Sequence, residues 1–308
     1  MSRGTLPPAS TVAPPLALEA RVRPHGWPAA LRGLARSRAA LFGASVLGLW
    51  VLLALAAPLL TPHQAETQDL ALRLKPPAWL AGGDAAYLLG TDQFGRDVLS
   101  RLLLGARVTL AVGLAGMLLA SLVGVLVGLC AGYLGGAVET VSMRIADVQL
   151  SFPYLVLAIA VMALVGPSLP LLTLVLGLRG WVTYSRTIRG QVLSLKTEEF
   201  VFAARALGAS TPRLLFRHIL PNTVAPITVL SSFELANLML TEASLSFLGL
   251  GVQPPTPSWG NMIAQGREYL YTAWWLTAMP GLALMLAVLA ANQLGDGLRD
   301  LLDPRLGR

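Results

Sequence analysis

The stretch Glu198–Asn222, EEFVFAARALGASTPRLLFRHILPN, governs the reading of the whole chain. It is polar, basic and helix-prone, and it sits between two long apolar spans. Ala203, Ala204 and Ala206 favour helix. Leu207-Gly208 reads as a helix stop, and Ser210-Thr211-Pro212 as a cap followed by a new helix with Pro near its start. Two short helices joined by a tight turn, held on the face of a membrane domain, predict a docking element. The plainer alternative is an amphipathic helix lying on the membrane surface with no partner.

Hydrophobic residues make up 55% of the chain and charged residues 13%, with a mean hydropathy of +0.64. That composition is that of a polytopic membrane protein. Charge-poor runs mark the spans: Ala39–Leu60, Val108–Ala137, Val148–Leu178, Thr223–Leu240 and Tyr269–Leu294. The third run is too long for one helix, and Gly166-Pro167-Ser168 breaks it, its second half continuing to about Tyr184. About 20 apolar residues cross the hydrocarbon core, so six helices are expected.

With the N-terminus inside, the inner segments carry 16 Lys and Arg and the outer segments 6, leaving Arg179 in neither class. The positive-inside rule then predicts both termini in the cytoplasm of a cell with this protein in its inner membrane. The net charge of +7 follows from this bias and calls for no nucleic-acid partner. Residues 1–25 are Pro- and Ala-rich, lack a signal-peptide layout and are expected to be disordered, and an interfacial helix is expected over Trp27–Arg38, so that 1–36 reads as a disordered and interfacial cytoplasmic tail. Cys130 is the single cysteine, so no intrachain disulfide is possible.

Gly116, Ala120, Gly124, Gly128, Gly132 and Gly136 recur every four residues along the second span. Such a stripe lets another backbone approach closely in lipid. The neighbour is a helix of the same chain or one of a partner subunit. Ionisable groups at membrane depth are costly and need a reason. Arg179 falls in the fourth span, Glu234 in the fifth, Glu242 at or just past its end, and Asp147 at the start of the third. Arg179 and Glu234 either pair across neighbouring helices or line a translocation path. Pairing or a helix-end role is the expectation for Asp147 and Glu242.

Four motifs together resemble one family. Leu89–Arg107, LGTDQFGRDVLSRLLLGAR, is similar to a signature of dipeptide/oligopeptide-type ABC importer permeases. So are Ala243–Gly260, the loop with Ala203-Ala204, Gly208 and Leu220-Pro221, and the tail Leu294–Asp300. The resemblance covers roughly residues 37–308, the permease domain, with a coupling loop at 187–222 and an extracytoplasmic segment at 61–107. It implies an all-α, six-helix type I permease fold. It also implies a second homologous permease, two cytoplasmic ABC ATPases and an extracytoplasmic solute-binding protein as partners. Glu199, Phe202, Ala203, Ala204, Leu207, Gly208, Ala209, Leu220 and Pro221 would then form the ATPase-docking surface. Phe202 stands where the family usually has Glu, so no ionic contact is expected there.

The chain is not expected to be its own ATPase. Its nearest approach to a phosphate-binding loop is Gly190–Thr197, GQVLSLKT, where Leu195 occupies the place of the second glycine. No catalytic constellation is visible, and His25, His63 and His218 show no metal-ligand spacing. No cofactor is expected on this chain, ATP being bound by the partner subunits. The function expected is ATP-driven import of di- or oligopeptides by alternating access. Import of nickel or another small solute is the alternative within the class. An ion-coupled secondary transporter is the alternative outside it, but that class favours internal repeats, and none is seen. A non-transporting scaffold leaves the intramembrane charges unexplained.

Overall fold

The computed structural model describes residues 37–302. The tail 1–36, with the interfacial helix expected from Trp27, lies outside them. Among the described residues nine helices carry the fold: α1 (Arg38–Leu60), α2 (Val98–Leu134), α3 (Gly136–Leu150), α4 (Tyr154–Val165), α5 (Leu169–Leu195), α6 (Glu199–Ala206), α7 (Val224–Phe247), α8 (Trp259–Gly266) and α9 (Trp275–Leu302). No strand forms among the described residues; Thr91 and Asp97 meet in one antiparallel bridge.

Four helical stretches are long and apolar enough to cross a membrane: α1, α2, Thr211–Phe247 and Trp275–Leu301. α3 and α4 make a fifth only if counted as one span, bent by 83°. α5 has the length, but Arg179, Arg186 and Arg189 dilute its apolar character and it is not among them. The expected breaks at Gly166 and Gly208 are present, each glycine with a positive φ.

Several boundaries differ from the sequence reading. α2 begins at Val98 rather than Val108, because Asp97 caps it by accepting from the backbone N–H of Leu99 and Ser100. It stops at Leu134, since Gly135 and Gly136 both take positive φ and start a new helix. The third expected span is interrupted at Ser151–Pro153, so Val148–Leu150 belong to α3. α7 runs to Phe247 and includes Glu242 well inside it. Tyr269 lies in a short turn before α9, and Leu294–Asp300 is helical.

α2 is the spine. Its 37 residues span about 55 Å and touch α1, α5, α7 and α8 in turn. The small-residue stripe settles its partner: Gly124, Gly128 and Gly132 pack within the chain onto α5. A Cβ at Gly128 would lie 2.7 Å from the Ser185 carbonyl oxygen, and one at Gly132 2.7 Å from Val192 Cβ. Gly136 is outside this seam, with open space around it. α1 and α9 close on each other, because Gly43 on α1 admits the backbone of Leu294 and Gly297 on α9 admits Ala40. Such close contact of small residues is how helices gain packing energy in lipid.

One end of the bundle is sealed by a polar cap. Asp92 accepts from Arg96 Nε at 2.7 Å and faces Arg101 Nε at 3.5 Å, while Arg96 reaches Gln265 on α8 at 3.0 Å. Arg101 is only 2% exposed. Trp259 donates from its indole to the Leu102 carbonyl and Trp275 to that of Thr91. On the cap surface the backbone N–H of Ala86, together with the Lys75 ammonium, holds the Asp84 carboxyl below its ordinary range. Helices α3 and α5 are tied by side chains: Asp147 to Arg186 at 2.5 Å, Glu139 to Arg189, and Gln149 to the carbonyls of Leu178 and Arg179.

Candidate functional site: a docking element and a charged pair

At the other end of α2 lies the element that opened the sequence reading. α6 ends on Gly208 at φ +81, and the turn closes with Gly208 N–H on the Arg205 carbonyl and Ala209 N–H on that of Ala204, both at 3.0 Å. This is the paired-bond stop that a left-handed residue permits. The chain then re-enters helix at Thr211 and runs through the wider turns of Leu214–Ile219 and the tight turn Leu220–Thr223 into α7.

The element is anchored by a buried row. Val201, Leu214, Leu215 and Ile219 pack against Val125 and Leu129 of α2 and Ile188 and Val192 of α5. Its outer side carries Phe200, Phe202, Leu207 and Phe216, with Leu207 89% exposed. Large apolar groups in that number on a polar loop mark an interaction surface. A Cβ at Gly208 would meet nothing within 4 Å of this chain. Beneath α6 a cleft of about 430 Å³ runs between Tyr133, Lys196, Phe202 and Arg205.

The expected docking residues divide. Glu199, Phe202, Ala203, Leu207, Gly208 and Pro221 are exposed. Ala204, Ala209 and Leu220 turn inward onto the anchoring cluster. Sequence reading missed Phe200 and Phe216, whose signal was their aromatic character in an otherwise polar loop.

Farther along α5, Arg179 and Glu234 of α7 face each other. Arg179 Nη1 lies 3.6 Å from Glu234 Oε1, with the two side chains 35% and 9% exposed. Among the described residues neither of these atoms has a hydrogen-bond partner, nor has the hydroxyl of Tyr154 on α4. The guanidinium lies over the Tyr154 ring at 5.3 Å. Gly180 makes the room, since a Cβ there would stand 2.6 Å from Glu234 Oε1. That requirement is a tertiary one and leaves no mark in the sequence.

Glu242, the third residue expected on a path, is placed differently. It is fully buried, accepting from Thr109 Oγ1 at 3.0 Å and Ser246 Oγ at 2.7 Å. Thr109 also receives the Trp259 backbone N–H, so Glu242 ties α2 and α7 to the cap. Among the described residues no cluster of three His, Cys, Asp or Glu is arranged to hold a metal ion.

Residues 124–308 match the family of binding-protein-dependent transport system inner membrane components. Residues 27–77 match the N-terminal transmembrane domain of oligopeptide transport permease C. The chain is 42% identical over 275 residues to a di/tripeptide transport system permease of Pseudomonas aeruginosa, covering 89% of this chain and 91% of that one. It is 40% identical to a dipeptide transport system permease of Alkalihalophilus pseudofirmus, over 91% and 90%. A probable D,D-dipeptide transport system permease of Escherichia coli is also 40% identical, over 86% and 87%. The chain therefore belongs to the binding-protein-dependent inner membrane component family. It is a multi-pass inner membrane protein, an all-α type I ABC importer permease, and a membrane component rather than an enzyme.

Proposed function

We propose that this subunit carries di- or oligopeptides into the cytoplasm, driven by separate ATPase subunits that grip α6 and the turn at Gly208. The observation that carries this reading is the apolar outer row of the element, Phe200, Phe202, Leu207 and Phe216, set on a buried row that clamps α2 and α5 together. A displacement of α6 reaches both helices as one body, because the glycine seam leaves no slack between them. From Leu195 back to Arg179 is about 24 Å along α5, so motion at the docking end reaches the charged pair directly. Leu195 in GQVLSLKT supports an energy source on another chain. Peptide cargo is the reading favoured by the relatives, whose names specify dipeptides or di/tripeptides.

In this reading the complex contains a second permease, two ABC ATPases and an extracytoplasmic binding protein. The subunit has six spans, the bent α3–α4 pair and α5 included, with both termini cytoplasmic, the coupling loop at 187–222 and the extracytoplasmic segment at 61–107. No cofactor is bound by this subunit. Affinity purification of the full-length chain from its native membrane is expected to bring down an ATPase and a homologous permease. Reporter fusions at Gly83 and Gly266 are expected to read outside, and one at Ser194 inside. Purification of the chain alone, with uptake intact, would contradict the reading.

A further inference from the structure

Arg179, Glu234 and Tyr154 are poorly matched to one another. Three buried polar atoms, Arg179 Nη1, Glu234 Oε1 and the Tyr154 hydroxyl, meet in one place from three helices without a hydrogen bond among them. Buried polar groups are nearly always satisfied, and each one left open in a native structure calls for a cause. The ion pair at 3.6 Å is too long to be a hydrogen bond, although both partners have charged donors or acceptors to offer. The Glu234 side chain is 9% exposed and lies largely away from bulk solvent, whereas Arg179 keeps about a third of its surface open. Gly180 holds the space that lets the carboxylate stand there. The pair lies ten residues into α5, about 15 Å along it, and Glu234 sits on a helix apolar enough to cross a membrane, where isolated charge is costly.

We infer that Arg179 and Glu234 form a transient site for a zwitterionic solute, the arginine taking its carboxylate and the glutamate its ammonium. The inference rests on the peptide-importer reading and names how that cargo is held in passage. A neutral pair that opens to admit a neutral zwitterion exchanges one set of opposite charges for two, and no net charge is left in a medium of low dielectric. An anion alone would leave Glu234 unpaired, and a cation alone would leave Arg179 unpaired. The long separation keeps the pair weak enough to open, and the unsatisfied Tyr154 hydroxyl offers a further contact to the solute backbone. No covalent step is involved.

The test uses the complete transporter in proteoliposomes, with its binding protein and ATP. Tyr154→Cys in a Cys130→Ala background places a thiol beside the pair while leaving both charges in place. A membrane-impermeant sulfonate thiosulfonate reagent is expected to modify it during turnover. Saturating alanylalanine is expected to slow that modification several-fold, and its N-acetylated amide is not. Arg179→Gln/Glu234→Gln is expected to assemble and hydrolyse ATP while dipeptide uptake falls by about tenfold or more, the effect of losing roughly 1.4 kcal/mol of charge-assisted contact. A thiol that stays unmodified in a transporter that carries dipeptide overturns the inference alone. So does modification that both solutes slow equally, or full uptake by the double variant. A wild-type transporter that carries no dipeptide overturns the cargo reading, and the site with it.

Discussion

Glu234 and Glu242 lie on the same helix, eight residues apart, and both are almost wholly buried. Glu242 forms no ion pair among the described residues, yet Thr109 and Ser246 satisfy both of its oxygens. Glu234 has a cation, yet Oε1 has no hydrogen bond at all. The first belongs to a network complete within the chain and joined to the cap through Trp259. The second is left in want of a partner on the side where α4, α5 and α7 converge. The satisfied glutamate ties α2 and α7 to the cap, whereas the unsatisfied one stands where we place the passing solute.

The largest effect is expected at Glu242. Glu242→Ala removes both acceptors and leaves the hydroxyls of Thr109 and Ser246 buried without them, at a cost of about 3 kcal/mol. Thermal unfolding in detergent should show it as a marked loss of stability, and a normal melting curve would erase the contrast. Arg179→Leu should cost less, about 2 kcal/mol, because the arginine is partly open and its contact with Glu234 is a long one without a hydrogen bond. Arg179→Leu/Glu234→Leu should recover most of that stability, since two apolar groups of similar size replace a buried pair cheaply. A double variant less stable than the worse single one would show that the two charges do not interact. Gly180→Ala comes next, at roughly 1–2 kcal/mol, as the new methyl displaces the Glu234 carboxylate. An unchanged melting temperature there would mean that Glu234 has another place to go.

Much of this arrangement was legible in the sequence. The stop at Gly208 and the break at Gly166 follow from local backbone chemistry, and the cost of charge in lipid singles out Arg179 and Glu234 without choosing between pairing and a place on a path. The rest needed the fold. Arg96 and Arg101 belong to the Leu89–Arg107 motif, and nothing local says that they are buried together with Asp92. The helix start at Val98 was hidden by the same charges. Pro153 was masked by the apolar run around it. In an eight-residue helix such as α6 the inward face cannot be chosen from two turns of sequence, so nothing local tells the inward Ala204 from the exposed Ala203. The glycine stripe was visible, but its neighbour was fixed only when Ser185, Ile188 and Val192 were seen against it.

Gly208 carries the central claim, that the outer row of this loop is where an ATPase drives the helices. Its φ of +81 strains any side chain, so Gly208→Val should cost about 1 kcal/mol in this chain, where the added atoms meet open space. That is the smallest stability effect of the series. Against a partner pressed on the turn, the same side chain is a steric block. The decisive measurement is dipeptide uptake and ATPase retention by the reconstituted Gly208→Val complex, alongside its helix content. Intact helix content with uptake abolished, or with the ATPase released, is the predicted result. Wild-type uptake with the ATPase still bound would show that the turn is a passive surface and would contradict the mechanism.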